Sequence, residues 1–109
     1  MSRPWFFILL SLAAQDRHGS GIMRDVLDLT AGELRLWPAT LYGALDELRE
    51  REWIRALDTA PAFARNESAR KRWYRITAQG RRALAAETAS LEATLRTAQR
   101  RLAHRTESA

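Results

Sequence analysis

Side chains able to do chemistry are few in this chain, and they are scattered. The two histidines, His18 and His104, lie far apart and make a poor ligand set for a transition metal. There is no cysteine, which excludes a disulfide scaffold, a thiolate zinc site and a redox switch. His18 adjoins Gly19 in a polar turn and has no nucleophile beside it. Asp25 and Asp28 fall on the surface of an amphipathic segment. No glycine-rich phosphate loop and no clustered metal ligands occur. The expectation is a protein without catalytic residues, metal or cofactor.

Charge is the remaining chemical signal. The 109 residues carry 18 basic and 13 acidic side chains, for a net charge of +5. All the basic residues but Lys71 are arginines. The excess is local. Residues 65–82 hold seven basic side chains against Glu67 alone, net +6, whereas residues 16–52 are net −3. A concentrated basic stretch suits a polyanion, above all the phosphates of nucleic acid. A solvated, arginine-rich surface is the bland alternative.

The elements that must position these charges follow from apolar spacing. Trp5 to Ala14 reads WFFILLSLAA behind a lone Arg3, which imitates a signal peptide. The run is too short to span a membrane, and Pro4 suits the first turn of a buried helix. A polar turn at residues 16–21 leads to a second helix, Ile22 to Leu29, with Gly32 as a left-handed cap. Leu34-Arg35-Leu36 alternates as a very short strand would. Pro38 opens a third helix running to about Glu52, with Leu41, Leu45 and Leu48 inward. The acidic residues of its later turns, Asp46, Glu47, Glu50 and Glu52, are expected to face away from phosphate.

Residues 53–58 and 70–77 read as two strands of a hairpin, joined by an irregular loop at 59–69. Thr77 is a natural N-cap for a last helix reaching about His104. Leu84, Thr88, Leu91, Leu95, Ala98 and Leu102 then follow a heptad seam, the pattern of a dimer interface.

This order predicts a mainly α fold with a β-hairpin wing: a winged helix-turn-helix over 1–77, a dimerisation helix over 78–104, and a frayed tail at 105–109. In such a fold the second helix of the helix-turn-helix enters the major groove. The candidate DNA-binding residues are Ala39, Thr40, Tyr42 and Gly43 on that helix, and Arg65, Arg70, Lys71 and Arg72 on the wing. Trp73 could touch DNA or pack under the wing. The rival reading is a winged helix that binds protein and not DNA, which the basic wing argues against.

The segments HGSGIMRDV (18–26), LRLWPATLYGALDELREREWI (34–54) and RKRWYRITAQGRRAL (70–84) resemble the PadR family of bacterial transcriptional regulators. The length resembles its short subfamily, with a single C-terminal dimerisation helix. The resemblance implies a cytoplasmic homodimeric repressor on a pseudo-palindromic double-stranded DNA operator, with no membrane partner. It also implies release by a small hydrophobic or aromatic effector. Two positions depart from the family pattern. Ser20 stands where a tyrosine is usual, and Trp37 stands where a serine is usual before the helix-starting proline.

Trp5, Phe6 and Phe7 are consecutive, so on a helix they point about 100° apart and cannot all enter one core. At least one must face a partner subunit, a ligand or solvent. Core and dimer packing is the plain reading, and an effector pocket near the dimer seam is the sharper one. No buried charge is apparent beside them, which favours a neutral or cationic aromatic ligand over an anion.

Overall fold

The computed structural model describes residues 1–64 and 71–108, with side chains described as far as His104. The first helix, α1, is Arg3–Ala14. Ser2 caps it: the hydroxyl accepts the Trp5 N–H at 3.3 Å. Ile8, Leu9, Ser11 and Leu12 are buried, so the apolar N-terminal run is the centre of the core. Two arginines satisfy the carbonyls at its C-terminal end. Arg17 Nε donates to Ser11 O at 3.1 Å, and Arg81 Nη2 donates to Ala13 O at 3.2 Å. Cations there also complement the helix dipole.

The polar turn expected at residues 16–21 is a strand and a helix start. Strand β1 is Arg17–His18, and helix α2 is Gly19–Leu29. The extra turn of α2 forms because His18 caps it, with Nδ1 accepting the Gly21 N–H at 3.2 Å. A side-chain acceptor at the N-cap offsets the poor helix propensity of two glycines. At the other end Gly32 takes φ +83°, as its type predicts, and its N–H reaches Leu27 O at 2.8 Å. Ala31 shares the left-handed region at φ +52°.

The strand expected at Leu34 to Leu36 does not form. Its alternation is real but serves burial only. Leu36 is buried and Leu34 half-buried, while Arg35 and Trp37 face outward. The segment is held by the Thr30 hydroxyl, which accepts the Leu34 N–H at 2.9 Å. Helix α3 follows at Pro38–Glu50, with Leu41, Ala44, Leu45 and Leu48 buried. That spacing fits one inward helical stripe.

Strands β2 (Ile54–Ala56) and β3 (Trp73–Ile76) pair antiparallel as the expected hairpin, with Arg55 opposite Arg75. The third strand of the sheet is β1, so the order is β1-β3-β2. Arg17 pairs with Tyr74 and His18 with Trp73. The connection from α1 to α2 thus covers the edge of β3 that β2 leaves open. A short 3-10 turn, Ala62–Ala64, lies in the long loop.

The last helix, α4, is Ala78–Ser108. Thr77 caps it as expected, its hydroxyl accepting the Gly80 N–H at 3.0 Å. Only Leu84 of its leucines joins the core; Leu91, Leu95 and Leu102 are 48%, 57% and 69% exposed. A helix of this length extends about 46 Å, which accounts for the elongated 61 × 28 × 25 Å envelope.

Candidate nucleic-acid interface

The outward side of α3 begins with Ala39, Thr40, Tyr42 and Gly43, all exposed. No side chain caps the helix, because Trp37 has no oxygen to offer. Its first-turn amides and the positive end of its dipole therefore face solvent, an arrangement that favours anions. Ala39 and Gly43 keep the surface low, and a Cβ on Gly43 would meet nothing within 4 Å. Tyr42 leans toward α2: its hydroxyl lies where a side chain on Gly19 would start, 2.5 Å from that Cβ position. Gly19 therefore serves to seat Tyr42, a relation between residues 23 apart that local spacing does not reveal.

On the wing, Lys71 and Arg72 are exposed. Arg65 and Arg70 lie outside the described residues. The +6 of this stretch overstates the charge available to a partner. Arg75 is committed to Asp16 through bonds of 3.0 Å from Nε to Oδ1 and 2.7 Å from Nη2 to Oδ2. The hydrogen bond and charge of Asp16 raise the Arg75 pKa further above its already high value. Arg81 is engaged with the Ala13 carbonyl. Arg75 therefore fastens the wing to the connection after α1, and Arg81 fastens α4 to the end of α1.

Trp73 is a packing residue: it is 4% exposed, between His18 at 4.9 Å and Phe63 at 5.8 Å, both edge-to-face. This row of rings ties the α2 cap to the start of the wing loop. Beside it, Asp46 and Glu50 share a groove of about 880 Å³ with Arg49, Arg55 and Arg72. The acidic late turns of α3 are thus interspersed with arginines. Tyr74 is buried nearby, and burial raises its hydroxyl pKa despite the opposing pull of Arg72 and Arg49.

Trp5, Phe6 and Phe7 are all half-buried, as three consecutive helical aromatics must be. Phe6 and Phe7 meet edge-to-face at 5.4 Å, and Trp5 meets Trp53 at 5.8 Å. The charges that lie beside them are exposed ones. The Arg51 guanidinium lies 4.8 Å from the Trp5 ring centre and that of Arg3 lies 5.6 Å from Phe7. Sequence distance hid Arg51, which arrives from the end of α3. Cations on these rings remove the argument for a cationic ligand. Trp5 also walls a cleft of about 300 Å³ against Ala39, Thr40 and Gly43 of α3. Phe6 and Phe7 do not line it.

Among the described residues no three metal-ligating side chains gather. No described helix is long and apolar enough to cross a membrane.

The fold recurs in known regulators. A PadR family transcription regulator from Clostridium difficile R20291 superposes with a TM-score of 0.76, at 18% identity, over 93% of this chain and 99% of its own. A transcriptional regulator from Clostridium thermocellum gives 0.73 at 23% identity, over 89% and 87%. A PadR-like transcription factor from Bacteroides fragilis gives 0.68 at 20%, over 87% and 85%. The comparison with curated proteins finds no match. The family model described as "Transcriptional regulator PadR-like family" matches residues 8–86, from the buried half of α1 to the first turns of α4. With its winged helix, its β-hairpin and that match over most of its length, the chain belongs to the PadR-like family of transcriptional regulators, which are not enzymes.

Proposed function

We propose that this protein is a homodimeric, sequence-specific DNA-binding repressor in the cytoplasm. The observation that carries the reading is the start of α3. Small and hydroxyl-bearing residues, Ala39, Thr40, Tyr42 and Gly43, stand exposed beside uncapped amides. Such a turn suits the major groove, where small side chains permit close approach and hydroxyls contact phosphate or base edges. Lys71 and Arg72, with Arg65 and Arg70, supply the wing with cations for the backbone. In gel shifts with its own promoter region, binding should be specific and should weaken steeply between about 50 and 200 mM salt. Absence of any shift at low salt would favour the protein-interaction reading.

The exposed leucines of α4 support dimerisation through Thr88, Leu91, Leu95, Ala98 and Leu102, whereas Leu84, expected in the same row, is buried in the core of its own chain. An apolar row of this kind on a helix that leaves the core calls for a second helix. Residues 1–77 then form the DNA-binding unit and 78–104 the dimer contact.

A small hydrophobic or aromatic effector is the proposed release signal. The Trp5 cleft is the proposed site; Phe6 and Phe7 lie outside its lining. A ligand there would press on the α3 residues assigned to DNA, and it must prefer the unbound state to release the operator. Planar aromatic compounds should quench tryptophan fluorescence and weaken DNA binding over one concentration range, and Trp5→Ala should diminish both effects. Quenching without release would separate the cleft from regulation.

A further inference from the structure

The side chain of Trp37 is 65% exposed. It lies outside the core cluster and gives α3 no cap. It is also ordered by a neighbour. The Arg35 guanidinium lies over its ring, 5.4 Å from the centroid. The two share one side because Leu34 and Leu36, between and before them, turn inward. The stacked pair therefore stands directly beside the exposed first turn of α3.

We propose that Arg35 and Trp37 form a second DNA contact, flanking the recognition helix. The indole rests on the deoxyribose and base edge of one strand, and the guanidinium meets the adjacent phosphate. This rests on the DNA-binding reading above. The chemistry suits a duplex. A flat indole contacts sugar and thymine methyl groups, which are the apolar parts of a groove wall. A guanidinium can stack on a ring and bond a phosphate at the same time. The acid nearest in sequence, Glu33, is turned to Arg3 at 3.7 Å. A protein partner would need a wide apolar surface around the indole, but two of its exposed neighbours in sequence, Glu33 and Arg35, are charged.

The two members should fail differently. The test is binding to a labelled duplex from the protein's own promoter region, across a salt series, for wild type and for Trp37→Ala, Trp37→Phe and Arg35→Ala. Trp37→Ala should weaken binding about tenfold at every salt concentration and leave the salt slope unchanged, since an apolar contact releases no counterion. Trp37→Phe should restore most of the loss. Arg35→Ala should reduce the slope by about one. The melting temperature should stay near wild type in all three, because neither side chain packs in the core. Wild-type affinity in Trp37→Ala, or a Trp37→Ala loss that Trp37→Phe leaves unrelieved, overturns the stacked contact while leaving DNA binding intact. A wild type that binds no duplex overturns the DNA reading itself, and this proposal with it.

Discussion

The backbone carbonyl of Trp53 occupies the space into which a side chain on Gly80 would project. Around that contact the chain is fastened at one point. The Trp53 N–H reaches Leu48 O at 3.0 Å, closing α3. Glu52 turns the chain with φ +61°. The Thr77 hydroxyl donates to Glu52 O at 2.6 Å and accepts the Gly80 N–H at 3.0 Å, while the Thr77 N–H meets Trp53 O at 2.9 Å. The end of α3 and the start of α4 are thus held by backbone groups. On the proposed function, this junction transmits the angle of the dimer helix to the helix that meets DNA.

Gly80→Ala should therefore destabilise the protein by about 1–3 kcal/mol, because the obstacle is backbone and cannot rotate away. Gly43→Ala is the matched control. Its site is open, so helix propensity should raise stability by up to about 1 kcal/mol. Denaturant unfolding of both variants checks the opposite signs.

Trp37→Ser should gain stability, because a serine hydroxyl can accept an N–H of the uncapped first turn of α3. A good N-cap contributes about 1 kcal/mol, or several degrees in melting temperature for a domain of this size. Thermal unfolding against Trp37→Ala, which adds no oxygen, isolates the cap.

Basic residues of the wing region should divide into two classes in a salt series. Replacing Lys71 and Arg72 together by alanine should reduce the salt slope of DNA binding by about two. Arg75→Gln should leave the slope unchanged, because Arg75 is already paired with Asp16. Equal slope changes per residue at all three positions would contradict this division.

Alkaline pH should weaken the fold through Tyr74. Burial raises its pKa above the ordinary 10.0, so the folded chain keeps that proton longer than the unfolded chain does. The contribution is fully present below the unfolded pKa and falls away as pH rises through and beyond it. Stability measured on either side of pH about 10 should decline more steeply for wild type than for Tyr74→Phe.

Much of this molecule was legible from local patterns. Pro38, Gly32 and Thr77 announced their helix ends because capping depends on one or two neighbouring residues. The leucines of α3 marked the core stripe by spacing alone. What local pattern does not carry depends on distant partners. Leu34-Arg35-Leu36 has the alternation of a strand, but the open edge of β3 is taken by Arg17 and His18. Gly19 to Gly21 look like a turn until His18 is seen to cap them. Arg75 counts as free charge until Asp16, 59 residues away, is placed beside it. In the candidate site, Thr40 and Tyr42 were readable from helix phase. The pairing of Arg35 with Trp37 was hidden by the strand assignment, and the Trp5 cleft needed α1 and α3 docked together.

The most direct test of the central claim is a hydroxyl-radical footprint on the promoter region. A dimer with one recognition helix per subunit should protect two half-sites on one face of the duplex, one helical turn or a multiple apart. Replacing Leu91 and Leu95 together by glutamate should abolish the paired pattern by breaking the α4 seam. Two protected patches lost together in that variant are the predicted result. A single patch, or paired protection that survives the double substitution, would contradict the account.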